Sequence, residues 1–290
     1  MNGIPYAHAV CWLNGRLVPI ELARISVFDH GLLYGDGVFE GIRFYRRRPF
    51  KLDAHLDRLL DSARAIALDL PWHRDDLASA VAETVAAYAG DNGYLRLVAT
   101  RGEGALGIDP TSCTRPSLFV IADHLSMVPH ETREKGARLI IAATRRLPPD
   151  GLDPRIKTLN YLNHILARME ANQAGADEAV LLNAAGRVAE GTADNIFIVQ
   201  RGRLLTPPPI EGALAGITRE TVLDLAREAG LAVAESPLAP YDLYTADECF
   251  LTGTGAELIP VAQVDGRDMG VCPGPVYREL DRRFQALVSA

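Results

Sequence analysis

Two short apolar runs separated by a turn dipeptide stand near the start of the sequence. CWLNGRLVP reads as two short strands joined at Asn14-Gly15, a dipeptide that tolerates the positive φ of a tight hairpin. In ISVFDHGLLYGDGVFEGIRFYRRRPFKL, apolar and aromatic residues are interrupted by Gly31, Gly35, Gly37 and Gly41. That pattern predicts backbone that approaches something closely before a strand hairpin begins. From Asp53, a capping residue by type, the period lengthens. Leu56, Leu59, Leu60, Ala63 and Ala67 recur at spacings of three and four, the stripe of an amphipathic helix. A second helix over about residues 75–89 leads to the strand GYLRLVATR, the loop RGEGALGIDP and the strand SLFVIAD.

Between Asp123 and Lys135 the pattern lapses, which predicts a linker and a domain boundary: a small N-terminal domain over 1–125, a linker over 126–136 and a larger domain over 137–290. ARLIIAATRRLP reads as a strand and LPPDGLDPRI as a loop with three prolines. Lys157 stands where this loop gives way to the helix NYLNHILARMEANQAG, closed by Gly175. Strands EAVLLN, RVAEG, NIFIVQ and RLLTPP follow, then the helix LAGITRETVLDLAREAG, a short helix near YDLYTA, and two strands in ECFLTGTGAELIPVAQVDG. The elements lack a steady βαβ rhythm, and no G-x-G-x-x-G opens a helix after a strand. The predicted class is therefore α+β in two domains.

Composition narrows the partners. The 290 residues are 48% hydrophobic and 23% charged, with net charge −7, which argues for a soluble globular protein and against nucleic-acid or anionic-membrane binding. Arg46-Arg47-Arg48 is the one compact basic run and reads as a solvated hairpin tip. Cys11, Cys113, Cys249 and Cys272 are scattered, without CxxC or zinc spacing, so no metal site is expected and reduced thiols in a cytoplasm are. MNGIPYAHAVCW lacks the basic stretch and apolar core of a signal peptide, and no apolar run approaches the ~20 residues that span a bilayer.

Of 30 basic residues only Lys51, Lys135 and Lys157 are lysines. An amine, unlike a guanidinium, condenses with an aldehyde, so a lysine kept on this arginine-rich background is a candidate for covalent chemistry, beside the ordinary alternative of a solvated surface lysine. A pyridoxal phosphate site would need further partners. The helix start Gly212–Thr218 offers backbone N–H groups to a phosphate, with the Thr218 hydroxyl and Arg58 in support; an ordinary N-cap and a surface ion pair are the alternatives. Glu190, ending an apolar strand, suits a pyridine nitrogen. Tyr161, four residues after Lys157, shares its face if the helix begins early enough, and suits a phenolic oxygen. The backbone of Thr254-Gly255-Ala256, with Arg43, Tyr94 and Arg96, suits a carboxylate; alternation puts Tyr94 and Arg96 on one strand face.

The combination is more specific than its parts. VFEGIR (Val38–Arg43), K-x-x-N-Y-L-N (Lys157–Asn163), E-G-x-x-x-N-I-F (Glu190–Phe197), L-x-G-I-T-R (Leu214–Arg219) and T-G-T-G-A-E (Thr252–Glu257) occur in that order. Over nearly its whole length the chain resembles the fold-type-IV pyridoxal 5'-phosphate enzymes, and among them the branched-chain amino acid aminotransferases. The resemblance implies a small α/β N-terminal domain and a larger C-terminal domain of mixed sheet and helices, with the cofactor between them. It implies Lys157 as the Schiff-base lysine, Glu190 at the pyridine nitrogen and Tyr161 at the phenolic oxygen. Arg58, Gly216, Ile217, Thr218 and Thr254 would hold the phosphate, with Leu214 packing on the ring. Tyr34, Phe39, Arg43, Tyr94, Arg96, Gly255 and Ala256 would line the substrate side. A homodimer is also implied, with the loop around Gly107 closing the neighbouring subunit's site.

The expected reaction is ping-pong transamination from branched-chain L-amino acids to 2-oxoglutarate. D-amino-acid or (R)-amine transamination, aminodeoxychorismate lyase chemistry and a non-catalytic carrier are the alternatives. Two departures from the family pattern bear on substrate choice: Leu97 follows Arg96 where a proline is frequent, and T-G-A stands where T-A-A is frequent.

Overall fold

A computed structural model describes residues 6, 8–125 and 129–289. It divides into two compact units. One takes the chain up to Leu125 together with Ile156–Asn160; the other takes the intervening segment that ends at Arg155 and everything from Tyr161.

The first unit carries β1 (Val10–Leu13), β2 (Arg16–Val18), α1 (His30–Tyr34), β3 (Gly37–Tyr45), β4 (Arg48–Pro49), α2 (Leu52–Ala65), α3 (Arg74–Ala87), β5 (Gly93–Thr100) and β6 (Ser117–Asp123). Its six-stranded sheet has the order β2-β1-β6-β5-β3-β4, with neighbours antiparallel throughout. Asn14 and Gly15 both take positive φ in the β1–β2 turn, as the hairpin requires. One face of the sheet packs on the two long helices: Val38, Ile42, Phe44, Leu95, Leu97, Leu118 and Val120 meet Leu56, Leu59, Leu77 and Val81. Period two in the strands and 3.6 in the helices thus produce one core.

Local details differ from the sequence reading. The N-cap of α2 is Lys51, in the left-handed region, while Asp53 sits in the first turn and pairs with Arg74 at 2.8 Å. The arginine turn is a hairpin tip, but not simply solvated. Arg47 donates to Asp91 and to the carbonyls of Val85, Ala86 and Ala89, closing the end of α3.

The second unit carries α4 (His130–Lys135), β7 (Ala137–Ile141), α5 (Leu162–Gln173), β8 (Glu178–Leu182), β9 (Val188–Gly191), β10 (Asn195–Gln200), β11 (Arg203–Thr206), α6 (Ile217–Glu228), β12 (Ala232–Glu235), α7 (Pro240–Tyr244), β13 (Glu248–Gly253), β14 (Glu257–Val264), β15 (Arg267–Asp268) and α8 (Pro275–Ser289). Its sheet runs β12-β11-β10-β13-β14-β7-β8-β9, with β15 on β14. β9 returns toward β10, and Gly191 N–H donates to Asp194 O at 2.7 Å, so the sheet curls around an apolar interior of Val180, Ile196, Leu251 and Val261. Ala167 and Ala171 of α5 pack on Ala179 and Leu181, the outward residues of β8.

Part of the expected linker, 130–135, is the helix α4; its residues 126–128 lie outside the described ones. Among the described residues no helix is long and apolar enough to cross a membrane.

Candidate active site

Lys157 precedes α5 rather than opening it. The helix begins at Leu162 with Tyr161 as its N-cap, so the four-residue spacing from Lys157 to Tyr161 has no helical meaning. Segment 156–160 instead packs with the first unit, not with the 137–290 region in which the sequence reading places it. The cause is backbone pairing. Thr158 bridges Val38, Phe39 N–H donates to Lys157 O at 3.0 Å, and Leu159 N–H donates to Gly37 O at 3.0 Å. Lys157 N–H donates to Ser62 Oγ on α2 at 3.2 Å. A short strand-like addition to the start of β3 therefore fixes the lysine backbone on both sides.

The sheet face away from the helices carries four of the predicted substrate residues, Phe39, Arg43, Tyr94 and Arg96. Phe39, Gly41 and Arg43 of β3 stand opposite Val98, Arg96 and Tyr94 of β5. The Arg96 guanidinium lies 4.5 Å from the Phe39 ring centroid and 5.6 Å from that of Tyr94, and the Lys157 Nζ lies 4.6 Å from the Phe39 ring. Two cations thus rest against one aromatic ring, a contact favoured by its quadrupole. A Cβ at position 41 would overlap the Tyr94 hydroxyl, so any larger residue there would displace the Tyr94 ring. Arg43 donates to Leu125 O at 3.2 Å, and the Tyr34 hydroxyl accepts from Gly107 N–H at 2.8 Å, tying α1 to the loop after β5.

On the helix-facing side of the same strand lies a charge cluster that sequence reasoning missed. Glu40, with no exposed surface, accepts from Arg58 Nε at 2.6 Å and Nη2 at 2.8 Å, and its Oε2 lies 2.7 Å from His55 Nδ1. Burial alone would raise the Glu40 carboxyl. The charge and hydrogen bonds of Arg58 and the contact with His55 outweigh it and hold it down at about 2. Burial pushes the His55 imidazolium the other way, down from its ordinary value, despite Glu40. Its Nε2 is buried without a partner among the described residues, which fits the neutral tautomer protonated on Nδ1. A sequence signal existed: His55 interrupts the apolar stripe of α2.

The second unit brings Glu190, Tyr161 and Leu214 together. Glu190 Oε1 accepts from Arg146 Nε at 3.1 Å and faces His164 Nε2 at 3.4 Å; Oε2 accepts from Leu214 N–H at 2.8 Å. Burial would raise this carboxyl too, but His164, the Arg146 charge and the Leu214 amide together lower it. The Tyr161 ring stacks on His164 with centroids 4.5 Å apart. Sequence reasoning missed both Arg146 and His164. The signal for His164 was its spacing of three from Tyr161 on a helix; Arg146 sits in a loop and gave none.

Gly216 is the N-cap of α6 and makes no side-chain cap, leaving Ile217 and Thr218 in its first turn. A Cβ at 216 would run into Asn195 Oδ1, whose amide Nδ2 donates to Leu214 O at 2.9 Å. One asparagine therefore locks the loop that carries Leu214 into the helix start. Thr254, Gly255 and Ala256 form the turn between β13 and β14, and Arg133 of α4 donates to Ala256 O at 2.9 Å.

The family model for amino-transferase class IV matches residues 37–264. The chain belongs to the class IV aminotransferases. It is 52% identical over 275 residues, 94% of each sequence, to a protein of Methanocaldococcus jannaschii that carries a provisional branched-chain-amino-acid aminotransferase name. Among solved structures it is similar to the branched-chain aminotransferase of Thermoproteus uzoniensis with norvaline (TM-score 0.90, 38% identity, 96% of this chain and 94% of that one). It is also similar to the branched-chain amino acid aminotransferase of Thermobaculum terrenum in its PLP form (TM-score 0.85, 32% identity, 96% and 93%). As in those class IV aminotransferases, the fold is mixed α and β over nearly the whole chain.

Proposed function

We propose that this protein moves the amino group of branched-chain L-amino acids (leucine, isoleucine, valine) to 2-oxoglutarate by a ping-pong mechanism, with pyridoxal 5'-phosphate as cofactor. The observation that carries the reading is Lys157, one of three lysines in the chain, held through its own N–H and C=O with its amine against the Phe39 ring. The names of its relatives supply the substrate class.

Pyridoxal phosphate, when bound, supplies an aldehyde that captures an amine and a ring that draws electrons from the neighbouring carbon. The residues present fit it. Glu190 is a carboxylate that burial fails to neutralise, so it holds a proton on a ring nitrogen placed against it. Tyr161, braced by His164, offers its hydroxyl to the phenolic oxygen. The start of α6, with no side-chain cap at Gly216, offers the N–H groups of Ile217 and Thr218 to the phosphate, joined by the Thr218 and Thr254 hydroxyls and by Arg58. Leu214 covers the ring. Lys157 would anchor the aldehyde, and its amine, once freed by the incoming substrate, would be the base that takes the proton from the substrate Cα and the acid that delivers it to the cofactor carbon beside the ring. Tyr34 and Phe39 meet an aliphatic side chain, while Arg43, Tyr94, Arg96 and the backbone at Gly255 and Ala256 meet carboxylates.

A second copy of the chain completes the reading. The α5 face of Leu162, Ile165, Leu166 and Met169 is 46–67% exposed at helical spacing, and Leu106 and Ile108 beside Gly107 are 74% and 85% exposed. Apolar patches of this kind mark interfaces, and a homodimer covers them. The described cysteines are all free thiols, in keeping with a reducing cytoplasm.

Two measurements test this. Lys157→Ala should abolish the cofactor absorption band of the wild type; an unchanged spectrum sinks the assignment. L-Leucine should convert the bound cofactor to its amine form much faster than D-alanine, and the reverse order would replace this reading by a D-amino-acid transaminase.

A further inference from the structure

The polar residues of α2 that face β3 form one line. His55, Arg58 and Ser62 recur at spacings of three and four, which sets them on one side of the helix. His55 and Arg58 grip Glu40, and Ser62 accepts from the backbone of Lys157. Glu40 lies between Val38 and Ile42 on the core face of β3, where an apolar residue would cost nothing to bury. A buried ion pair seldom stabilises a fold more than apolar replacements of the same volume do, so its presence calls for another reason.

Charge alone does not provide that reason. If Arg58 acted on a phosphate only through its positive charge, a carboxylate 2.6 Å away would oppose it. Geometry does provide one. The Glu40 carboxylate takes the Nε–Nη2 edge of the guanidinium side-on, which fixes the plane of the group and directs Nη1 away from Glu40. His55 in turn holds Oε2, so the carboxylate cannot rotate.

We propose that Glu40 is a positioning residue: braced by His55, it orients Arg58 so that the outer end of the guanidinium meets the cofactor phosphate. This rests on the reading above that Arg58 holds that phosphate. It assigns Glu40 and His55, which touch neither substrate nor cofactor, a part in cofactor retention.

The test uses the full-length holoenzyme and follows release of pyridoxal phosphate during dialysis, together with the ³¹P resonance of the bound cofactor. Arg58→Lys keeps the charge and loses the fork; Glu40→Gln keeps the shape and loses the grip. Each should weaken retention by about tenfold to a hundredfold, the scale on which partners that orient a ligand group act. The double variant should be no worse than the worse single one, because both remove the same oriented group. Both should move the ³¹P resonance, which a merely structural role for Glu40 would leave in place. Retention that is unchanged or tighter in Glu40→Gln, with Arg58→Lys weakened, overturns the positioning role while sparing the phosphate role of Arg58. Unchanged retention in Arg58→Lys removes Arg58 from the phosphate and takes the proposal with it. Should Glu40→Gln not fold, His55→Asn gives the same decision with a smaller expected loss, since it leaves the Arg58 grip on Glu40 in place; unaltered retention there also overturns the proposal.

Discussion

Glu40 in the first unit and Glu190 in the second are both buried, and each lies beside one arginine and one histidine. Their bonds differ. Both oxygens of Glu40 are taken by contacts of 2.6–2.8 Å, from a side-on arginine and a histidine on one helix. Glu190 shares one oxygen between Arg146 at 3.1 Å and His164 at 3.4 Å, from a loop and a helix, while a backbone amide holds the other. Both carboxyls are lowered against the pull of burial. The same three residue types therefore build two different devices. The tight one spends its hydrogen-bonding capacity on holding another side chain; the loose one keeps its charge and some of its capacity for a further partner.

Substitution should separate the two. The largest effect is expected from Glu190→Gln, which removes the charge while keeping the shape. Its kcat should fall about a thousandfold, as for loss of a group that acts in proton chemistry, with folding affected much less. Steady-state kinetics beside a thermal melt would show the split, and a comparable kcat in both proteins would break the comparison. Glu40→Gln should do the reverse in stability, costing about 2–3 kcal/mol, less than for a fully buried pair because Arg58, which loses its counter-charge, is only partly buried. The pH dependence has a definite sign. The Glu40 carboxyl is depressed to about 2 in the folded protein, so its contribution is complete above the ordinary carboxylate range. That contribution disappears as pH falls toward 2. Melting curves of wild type and Glu40→Gln should therefore converge in acid.

A third carboxylate gives the opposite case. Asp194 is pushed up to about 7, first by burial and then by Glu178, and its Oδ1 has no hydrogen-bond partner among the described residues. A raised carboxyl costs stability from the pH at which the unfolded chain ionises, so the penalty is nearly absent at pH 4, grows up to about pH 7 and is complete at pH 8. Asp194→Asn should raise the melting temperature at pH 8, by the equivalent of about 2 kcal/mol, and leave it unchanged near pH 4. The smallest effect belongs to an ion pair outside both clusters. Arg47, half exposed, holds the end of α3, and Arg47→Ala should cost no more than about 0.5–1 kcal/mol in urea unfolding.

Periodicity in the sequence marks what each element buries, and strands such as GYLRLVAT and SLFVIAD coincide with β5 and β6 for that reason. Two of the sequence motifs meet in the second unit, where the Leu214 N–H donates to Glu190. Long-range backbone pairing leaves no such trace. Nothing in KTLNY announces that Thr158 bridges Val38, so the local pattern puts the lysine at the start of a helix and in the wrong unit. Buried charge is equally silent. Glu40 stands in a motif whose apolar neighbours mark a strand, yet only the fold shows that His55 and Arg58 reach it. The C-terminal helix α8 and the edge strand β12 are absent from the sequence reading; β12 is half exposed, so its alternation is faint.

The placement of segment 156–160 has a consequence for the order in which the molecule can be made. During synthesis the first 125 residues emerge with most of their sheet, but the start of β3 lacks the partner that Lys157, Phe39, Leu159 and Gly37 form between them. That edge stays open until some thirty further residues have left the ribosome and the chain has doubled back (compare Leu125 with Ile156). The first unit is therefore not a contiguous stretch of gene. No single cut in the chain releases it whole, and the strip that finishes it is the one bearing the lysine.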